Sequence, residues 1–318
     1  MNFKAENITI GYGKYVVQSE LNLSAQKGDL ICLTGTNGAG KSTLLRSLVA
    51  LQPLLGGDVK INDKSISQLS NHQRAKLFAL VLTDKVDIEN LSVFELVAMG
   101  RFPHTNWAGA LTSHDKEIID KAINDVNLSH KISSKINEIS DGEKQRAIIA
   151  KALAQDTPLI LLDEPTAHLD LPNRIEIMML LRRLSVTTKK TFILSTHELD
   201  LAIQMSDRIW LMTKDGVNIG IPEDLMLSGM FQRAFGSNTF SFDPIDGRCH
   251  IKQYRGTMRI KITADESAQI QKAWLERAFI RIGINVDENA DIEIHCTDKG
   301  YIKDEKQYTT IEALLPNL

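Results

Sequence analysis

Cysteine is scarce in this chain of 318 residues, and its three cysteines, Cys32, Cys249 and Cys296, are widely scattered. They provide no disulfide framework, which indicates a reducing cytosolic compartment. Long apolar runs are also lacking, since none approaches the roughly 20 residues that a membrane-spanning helix needs. The N-terminus has no signal-peptide pattern. We therefore expect any membrane role to depend on docking to a partner.

A strong charge of either sign is missing too. The net charge is -3 and the isoelectric point is about 6.3, so no strongly basic surface indicates binding to nucleic acid. Internal repeats of roughly 20–50 residues and low-complexity segments are not found. The hydrophobic fraction of 43 % supports a packed core, and the length is enough for about two domains.

The hydrophobic pattern predicts an α/β fold. Three runs are almost wholly apolar, as in central parallel strands that are covered on both faces: Leu30–Leu33, Leu159–Leu162 and Phe192–Leu194. Helical patterns separate these runs, which favours an α/β sheet. Alternating residues in Phe3–Ile10 and again in Val59–Ile61 predict a small antiparallel layer. Ser92–Asn127 has the pattern of a helical insertion, interrupted at Pro103 and Gly109.

Beyond about Pro222 the pattern changes to short strands and helices. A helix is predicted over about Ala264–Ala278, with Ile270 and Trp274 on one face. The other predicted elements are strands at Cys249–Tyr254, Met258–Ile262 and Asp291–Cys296 and a short helix at Thr310–Leu315. We therefore expect a first domain over residues 1–224, with a helical insertion at about 90–150. A small α/β extension is expected over residues 225–318.

The most specific motif follows directly on the first apolar run. It has the spacing of a phosphate-binding loop and consists of Gly35, Thr36, Asn37, Gly38, Ala39, Gly40, Lys41, Ser42 and Thr43. The glycines let backbone N–H groups turn towards a polyphosphate, and the following helix adds its positive end. Lys41 can reach the β- and γ-phosphates, and Ser42 can supply a hydroxyl to Mg²⁺.

A second motif ends the apolar run Leu159–Leu162. Two carboxylates, Asp163 and Glu164, follow it directly. Asp163 is expected at the edge of the sheet near Mg²⁺, and Glu164 is then placed to orient and deprotonate a water. The alternative is that the strand merely ends in two solvated acids. The phosphate-binding loop elsewhere in the sequence makes the functional interpretation the preferred one.

A third motif, Ser140–Arg146, precedes a predicted helix. Ser140 followed three residues later by Glu143 has the pattern of a helix N-terminal capping box. That local structure does not exclude function, because a helix N-terminus is also an anion site.

In this order, the motifs resemble those of the ATPase subunit of an ATP-binding-cassette (ABC) transporter over about residues 1–225. The resemblance implies a P-loop ATPase fold with a parallel-sheet core, an N-terminal antiparallel β subdomain and an inserted helical subdomain. It also implies ATP as the nucleotide and Mg²⁺ as the metal, with Ser42 and Asp163 as ligands. Ser140 and Gly142 match the signature positions that face the γ-phosphate, whereas Asp141 and Glu143 depart from that signature.

Four more residues take roles from the same resemblance. Tyr12 matches the aromatic that stacks on adenine, although a turn-packing role is the ordinary alternative. Asp170 matches the acid of the loop that links two ATP sites. His197 matches the switch histidine on the γ-phosphate, where a lone histidine would otherwise be structural. Asp84 falls where the family has a glutamine that senses Mg²⁺, and a carboxylate can also approach that ion.

The resemblance also implies partners. One set of motifs predicts a homodimer with composite ATP sites, docked on a polytopic membrane permease and working indirectly with a substrate-binding protein. Its place would be peripheral, at the cytoplasmic face of the inner or plasma membrane. The segment Glu95–His104 resembles importers for iron–siderophore complexes, haem and cobalamin. Alternatives are the ATPase of an exporter, a soluble ABC protein of DNA repair or translation, and a regulator that binds nucleotide but hardly hydrolyses it.

The extension carries one further hypothesis. The pairs Cys249-His250 and His295-Cys296 contain metal-ligating residue types. Adjacent side chains on a strand point to opposite faces, so at most one residue of each pair could face a shared site. A supporting, regulatory or passive role is therefore the preferred interpretation of this extension.

Overall fold

The computed structural model describes residues 1–82, 90–106, 109–237, 239–243, 247, 249–251 and 256–318, with only the backbone of residue 250. The chain divides into two compact units. The first comprises Met1–Gly236 with Phe242–Arg248, and the second comprises Ser237–Ser241 with Cys249–Leu318. The expected functional boundary at residue 224 stays a prediction.

The first unit contains two sheets. Its strands are β1 (Asn2–Tyr12), β2 (Tyr15–Gln26), β3 (Leu30–Gly35), β4 (Gly56–Ile61), β5 (Lys64–Ser65), β6 (Phe78–Val81), β7 (Leu159–Leu162), β8 (Thr191–Ser195), β9 (Arg208–Thr213) and β10 (Gly216–Gly220).

Helices cover and connect these sheets. They are α1 (Lys41–Leu48), α2 (Asn71–Ala75), α3 (Val93–Ala98), α4 (Ser113–Asp125), α5 (Asp141–Ala154), α6 (Leu171–Thr188), α7 (Leu199–Met205), α8 (Pro222–Leu227) and α9 (Met230–Phe235). Short 3-10 turns lie at Ile66–Gln68, Met99–His104, Ser129–Lys131 and Ile136–Glu138.

The larger sheet has six strands in the order β10-β9-β3-β8-β7-β6, and only β10 runs antiparallel to its neighbour. Strands β3, β7 and β8 are buried along their whole length. β8 lies between β3 and β7 and pairs in parallel with both, which confirms the prediction of central parallel strands. Because the strands are parallel, the residues that follow β3, β7 and β8 meet at one edge of the sheet.

The smaller sheet is antiparallel, with the order β2-β1-β4-β5, as the alternation predicted. Phe3 and Ala5 are buried, and so are Ile8 and Ile10, although the two pairs differ by an odd number of residues. A register shift between Ala5 and Ile8 makes this possible, with Asn7 at a φ of 48°. The bulge rotates the strand so that both pairs face the core.

The predicted helical insertion is confirmed by α3, the 3-10 turn at Met99–His104, and α4. Arg101 and Asp115 fix α4 to the turn through an ion pair of 2.9 Å, and both side chains are almost fully buried. The Arg101 guanidinium also donates to the Ala154 carbonyl, 2.8 Å away. Hydrogen bonds from Thr112, and then the nearby Arg101, lower the pKa of Asp115 to about 2.

The second unit is a small α/β structure, as predicted. Its elements, with β11 ending one residue inside the first unit, are β11 (Phe240–Phe242), β12 (Cys249–Ile251), β13 (Arg259–Ala264), α10 (Gln269–Arg281), β14 (Asn285–Val286), β15 (Ile292–Thr297), β16 (Gly300–Lys303), β17 (Lys306–Tyr308) and α11 (Ile311–Leu314). The five-stranded sheet has the order β14-β13-β15-β16-β17.

Helix α10 begins five residues later than the predicted Ala264, because a 3-10 turn at Glu266–Ala268 precedes it. Ile270 and Trp274 are exposed by 73 % and 57 %. The face of α10 that packs on the sheet instead carries Leu275 and Phe279, both fully buried. The spacing therefore identified a face of this helix that points to solvent.

Candidate ATP-hydrolysis site

Backbone geometry explains the glycines of the phosphate-binding loop between β3 and α1. Gly35 has a φ of 150°, and a Cβ there would lie 2.0 Å from the carbonyl oxygen of Met212 on β9. Gly40 has a φ of 104°, and a Cβ there would lie 2.4 Å from Val17. Side chains at either position would force the loop away from the sheet, so these glycines keep the loop in place.

Lys41 lies inside the loop that precedes it. Its Nζ donates to the carbonyl oxygens of Gly35 at 3.0 Å and Thr36 at 3.2 Å. Burial lowers the pKa of Lys41, and the nearby carboxylates of Glu164 and Asp163 oppose this effect. A cation that has lost part of its hydration gains most from an anion brought next to it, so the loop is arranged to receive a phosphate.

Asp163 follows β7 and connects the loop to the next strand. It is 5 % exposed, and its Oδ1 accepts from Ser42 Oγ at 3.0 Å and from Ser195 Oγ at 2.7 Å. Carboxylate and hydroxyl oxygens are the ligands that Mg²⁺ takes from proteins, together with phosphates and water. No group of three or more acidic, histidine or cysteine side chains able to hold a metal occurs in the described part of the chain. Ser42 and Asp163 thus fit a magnesium ion that a polyphosphate helps to hold.

Glu164 and His197 meet at the same edge of the sheet. The Oε1 atom of Glu164 lies 2.7 Å from Nε2 of His197, and both side chains are part-exposed. The backbone N–H of Glu164 donates to Ser195 Oγ at 2.8 Å, and its φ is 49°. A non-glycine residue in this left-handed conformation costs about 1–3 kcal/mol and is often found at functional sites. The surrounding bonds therefore hold Glu164 in a fixed orientation towards solvent and His197.

Tyr12 lies at the end of β1, where its hydroxyl is 3.0 Å from Thr43 Oγ1. This contact places the ring beside the first turn of α1. Tyr12 is 49 % exposed, so about half of the residue is open to solvent. The position agrees with a stacking partner for a base whose phosphates lie on the loop.

The third motif forms the predicted capping box at the start of α5. Ser140 Oγ accepts from the Glu143 N–H at 3.3 Å, and Glu143 accepts from the Ser140 N–H at 2.8 Å. The Ser140 N–H lowers the pKa of Glu143, so this carboxylate stays ionised. The helix cap therefore accounts for Glu143, whose negative charge remains beside the N-terminus of α5.

The first turn of α6 packs against this cap. A Cβ on Gly142 would lie 2.3 Å from Asn173 Oδ1, so only glycine fits there without movement of that amide. Asn173 in turn donates from Nδ2 to Asp170 Oδ1 at 2.6 Å, and Asp170 is the N-cap of α6. Asp170 is exposed, and its carboxylate is oriented by its own helix.

The structure brings Lys41, Ser42, Asp163, Glu164 and His197 together in one site. In the described residues, no hydrogen bond joins Ser140 or Gly142 to residues 35–43. The predicted Asp84 lies outside the described residues.

Sequence reasoning missed Ser195, which bonds both Asp163 and Glu164. The sequence places Ser195 at the end of an apolar strand, which could have marked it as a candidate. Its bonds to Asp163 and Glu164 could be found only from the pairing of β7 with β8. Leu162 is paired with Leu194, so the next residues, Asp163 and Ser195, are adjacent. Sequence reasoning also missed an ion pair between Arg174 and Glu198.

Comparison with known proteins identifies the family. Residues 18–167 match the family described as ABC transporter. The chain is 34 % identical over 246 residues to the petrobactin import ATP-binding protein FpuD of Bacillus anthracis, covering 77 % of this chain and 90 % of FpuD. It is 37 % identical over 216 residues to the iron(3+)-hydroxamate import ATP-binding protein FhuC of Bacillus subtilis, covering 68 % and 80 %. The chain belongs to the ABC transporter ATP-binding proteins.

Solved structures agree with this assignment. A transporter described as being of the metal-chelate type, in an inward-facing conformation, matches with a TM-score of 0.66 and 26 % identity over 78 % of this chain and 95 % of that one. The ABC cassette MJ0796, solved as a dimer, matches with a TM-score of 0.59 and 26 % identity over 69 % and 98 %. ABC transporter ATP-binding proteins are ATPases coupled to transport, and this chain is one of them.

No helix in the described ranges of this ABC ATPase is both long and apolar enough to cross a bilayer.

The hypothesis of a metal site in the second unit gains no support from His295 and Cys296. Cys296 is fully buried, and burial raises the pKa of its thiol to about 11. His295 instead contacts Asp265 at 3.0 Å and Thr263 at 2.9 Å on the other face of β15.

Proposed function

We propose that this chain is the ATP-hydrolysing subunit of an importer for a ferric siderophore, with haem and cobalamin as related cargo classes. The observation that carries the proposal is the cluster at one edge of the sheet, where Lys41, Ser42, Asp163, Glu164 and His197 come together. The named cargoes of FpuD and FhuC, petrobactin and iron(3+)-hydroxamate, support the siderophore assignment.

Each residue of the site has its own proposed role in hydrolysis. The loop N–H groups and Lys41 bind the phosphates, and Tyr12 stacks on the adenine. Ser42 and Asp163 hold Mg²⁺, which neutralises developing charge on the phosphates when it is bound. Glu164 orients a water and accepts its proton, and His197 holds the Glu164 carboxylate and contacts the γ-phosphate. Asp84 is proposed to approach the metal in place of the family's glutamine.

We propose further that two copies form composite sites. The exposed Ser140 and the neighbouring Gly142 of one copy would close on the nucleotide held by the loop of the other, while Asp170 links the two sites. The dimeric state of MJ0796 supports this arrangement. Nucleotide between two surfaces adds charge-assisted hydrogen bonds that hydrolysis removes, which gives the two-state behaviour that transport needs.

A membrane permease is the proposed partner, and a substrate-binding protein acts on its outer side. The helical insertion offers a groove of about 550 Å³, lined by Ser92, Phe94, Glu95, Ile132 and Ser133. Its position just after residues 83–89 agrees with docking of a cytoplasmic helix of the permease. Through this partner, the proposed location of the chain is peripheral, at the cytoplasmic face of the inner or plasma membrane.

The test is reconstitution of the co-purified permease and this chain in liposomes, with a ferric siderophore and its binding protein on the outer side. We expect ATP-dependent uptake of iron, and none with the Lys41→Ala variant. Outward movement of a compound would indicate an exporter. Salt-sensitive binding of nucleic acid, with no permease recovered, would indicate a soluble ABC protein. ATP binding without phosphate release beside the permease would indicate a regulator.

A further inference from the structure

An arginine joins two loops of the hydrolysis site that are far apart in sequence. Arg174 lies in the first turn of α6, after the loop that contains Asp170. Its Nε donates to the Leu169 carbonyl at 2.6 Å, and its Nη1 donates to Glu198 Oε1 at 2.6 Å. Glu198 is the direct neighbour of His197. One planar guanidinium thus bonds the Asp170 loop and the His197 loop at the same time.

The other bonds of the His197 loop are of a different kind, and they include Thr196 N–H to the Leu33 carbonyl at 3.0 Å and the contact of His197 with Glu164. The Glu198 N–H donates to Thr196 Oγ1 at 3.0 Å, and the Glu198 carbonyl begins α7 through the Ala202 N–H. These bonds fix the backbone of Glu198, but only Arg174 ties its side chain to another segment among the described residues. The side chains of Arg174 and Glu198 are about two-thirds covered, at 35 % and 32 % exposure. A partly covered guanidinium that bonds two acceptors at once holds them with more directional precision than an exposed ion pair does.

We propose that Arg174 is a positioning residue that keeps Nε2 of His197 on the Glu164 carboxylate through Glu198. This inference rests on the proposed roles of Glu164 and His197. Without Arg174, the His197 loop keeps its backbone bonds but loses the side-chain bond that joins it to the Asp170 loop. Displacement of a catalytic group by about 1 Å can cost on the order of 100-fold in rate, so even a small shift is measurable.

The same helix provides a matched control. Arg182 pairs with Asp207 through Nη1 and Oδ2 at 2.6 Å, with exposures of 40 % and 34 %. The pair has the same length and nearly the same exposure as Arg174–Glu198. It lies eight residues further along α6, about 12 Å away at 1.5 Å per residue. Arg182→Gln therefore removes an equivalent ion pair from a place outside the site.

The experiment measures kcat and KM for ATP in the complex with the permease. We expect Arg174→Gln and Glu198→Gln each to lower kcat about tenfold or more. KM for ATP should change less than twofold, because the loop N–H groups and Lys41, which bind most of the phosphate charge, are untouched. The double variant should match the single variants, because both act through one contact. Arg174→Lys keeps the charge and should restore part of kcat. Arg182→Gln should behave like the parent.

A second background separates positioning from general stabilisation. The rate of single-turnover phosphate release is measured in a chain that already carries His197→Gln. Adding Arg174→Gln to that chain should lower the rate less than twofold further. A full multiplicative loss there would overturn the inference, as would a kcat of Arg174→Gln equal to that of Arg182→Gln. If Arg174→Gln does not fold, Glu198→Gln answers the same question. Absence of hydrolysis by the parent complex would instead reject the proposed function.

Discussion

Glu164→Gln is the substitution whose outcome the site geometry determines most closely. The amide keeps the size of the carboxylate, and the backbone of Glu164 is held independently by Ser195 and Ala167. The contact to His197 Nε2 at 2.7 Å can persist, because a carboxamide also forms hydrogen bonds. The substitution removes the negative charge of the side chain and, with it, the ability to accept a proton from water.

General-base catalysis contributes about 10²–10⁴-fold to a rate, so kcat should fall by that factor. At about 1.36 kcal/mol per tenfold change, the activation free energy rises by about 2.7–5.4 kcal/mol. Equilibrium ATP binding should stay within about twofold of the parent, because Lys41, Ser42 and Asp163 are unchanged.

The assay follows phosphate release by the chain in complex with its permease, and light scattering reports the oligomeric state with Mg²⁺-ATP. The variant should accumulate as an ATP-bound dimer, since the nucleotide that joins the copies is not removed. Hydrolysis at the parent rate would refute the assignment of Glu164 as base. Loss of ATP binding would show that the substitution acts on the loop and not on the water.

Three further predictions concern other parts of the first unit. Asp115→Asn leaves the buried charge of Arg101 without a counter-ion and should lower the free energy of unfolding, measured in urea, by about 3–5 kcal/mol. Because the folded pKa of Asp115 is lowered to about 2, its contribution is present above about pH 4 and should disappear as the pH falls towards 2; an unchanged difference between parent and variant at pH 2 would contradict this. Tyr12→Ala should weaken ATP binding about 5- to 150-fold by removing about 1–3 kcal/mol of stacking, whereas Tyr12→Phe should not, and calorimetric titration compares the two. Gly35→Ala should unfold at lower temperature than Gly38→Ala, since a Cβ at Gly35 meets backbone and one at Gly38 meets nothing within 4 Å; equal melting temperatures would contradict the crowding argument.

The sequence alone was sufficient to predict a structural feature wherever a short-range pattern has only one physical cause. The apolar runs Leu30–Leu33 and Leu159–Leu162 became buried strands on either side of β8, because strands with no polar face must be covered on both sides. Ser140 and Glu143 formed the predicted capping box because that geometry is local. The loop around Lys41 was visible because its glycines and spacing have few other uses.

The features that stayed hidden depend on which segments lie side by side. Ser195 donates a hydrogen bond to Asp163 because β7 and β8, about 30 residues apart in sequence, pair in one particular register. That register cannot be read from a single sequence. The bond of Arg174 in α6 to Glu198, 24 residues further along the chain, was hidden because it depends on how the helix and the His197 loop pack together. On α10, the spacing of Ile270 and Trp274 identified a face, but whether a face is buried depends on the sheet that covers it.

The most direct measurement for the central claim is a cross-link between copies. With Cys249 replaced by serine, Asn37→Cys in the phosphate-binding loop and Ser140→Cys at the start of α5 provide two exposed thiols, while Cys32 and Cys296 stay buried. In the Glu164→Gln background, oxidation with Mg²⁺-ATP should give a species of about twice the 35.5 kDa of one chain, and far less of it without nucleotide. A cross-link that forms equally without ATP, or only within one chain, would contradict composite ATP sites.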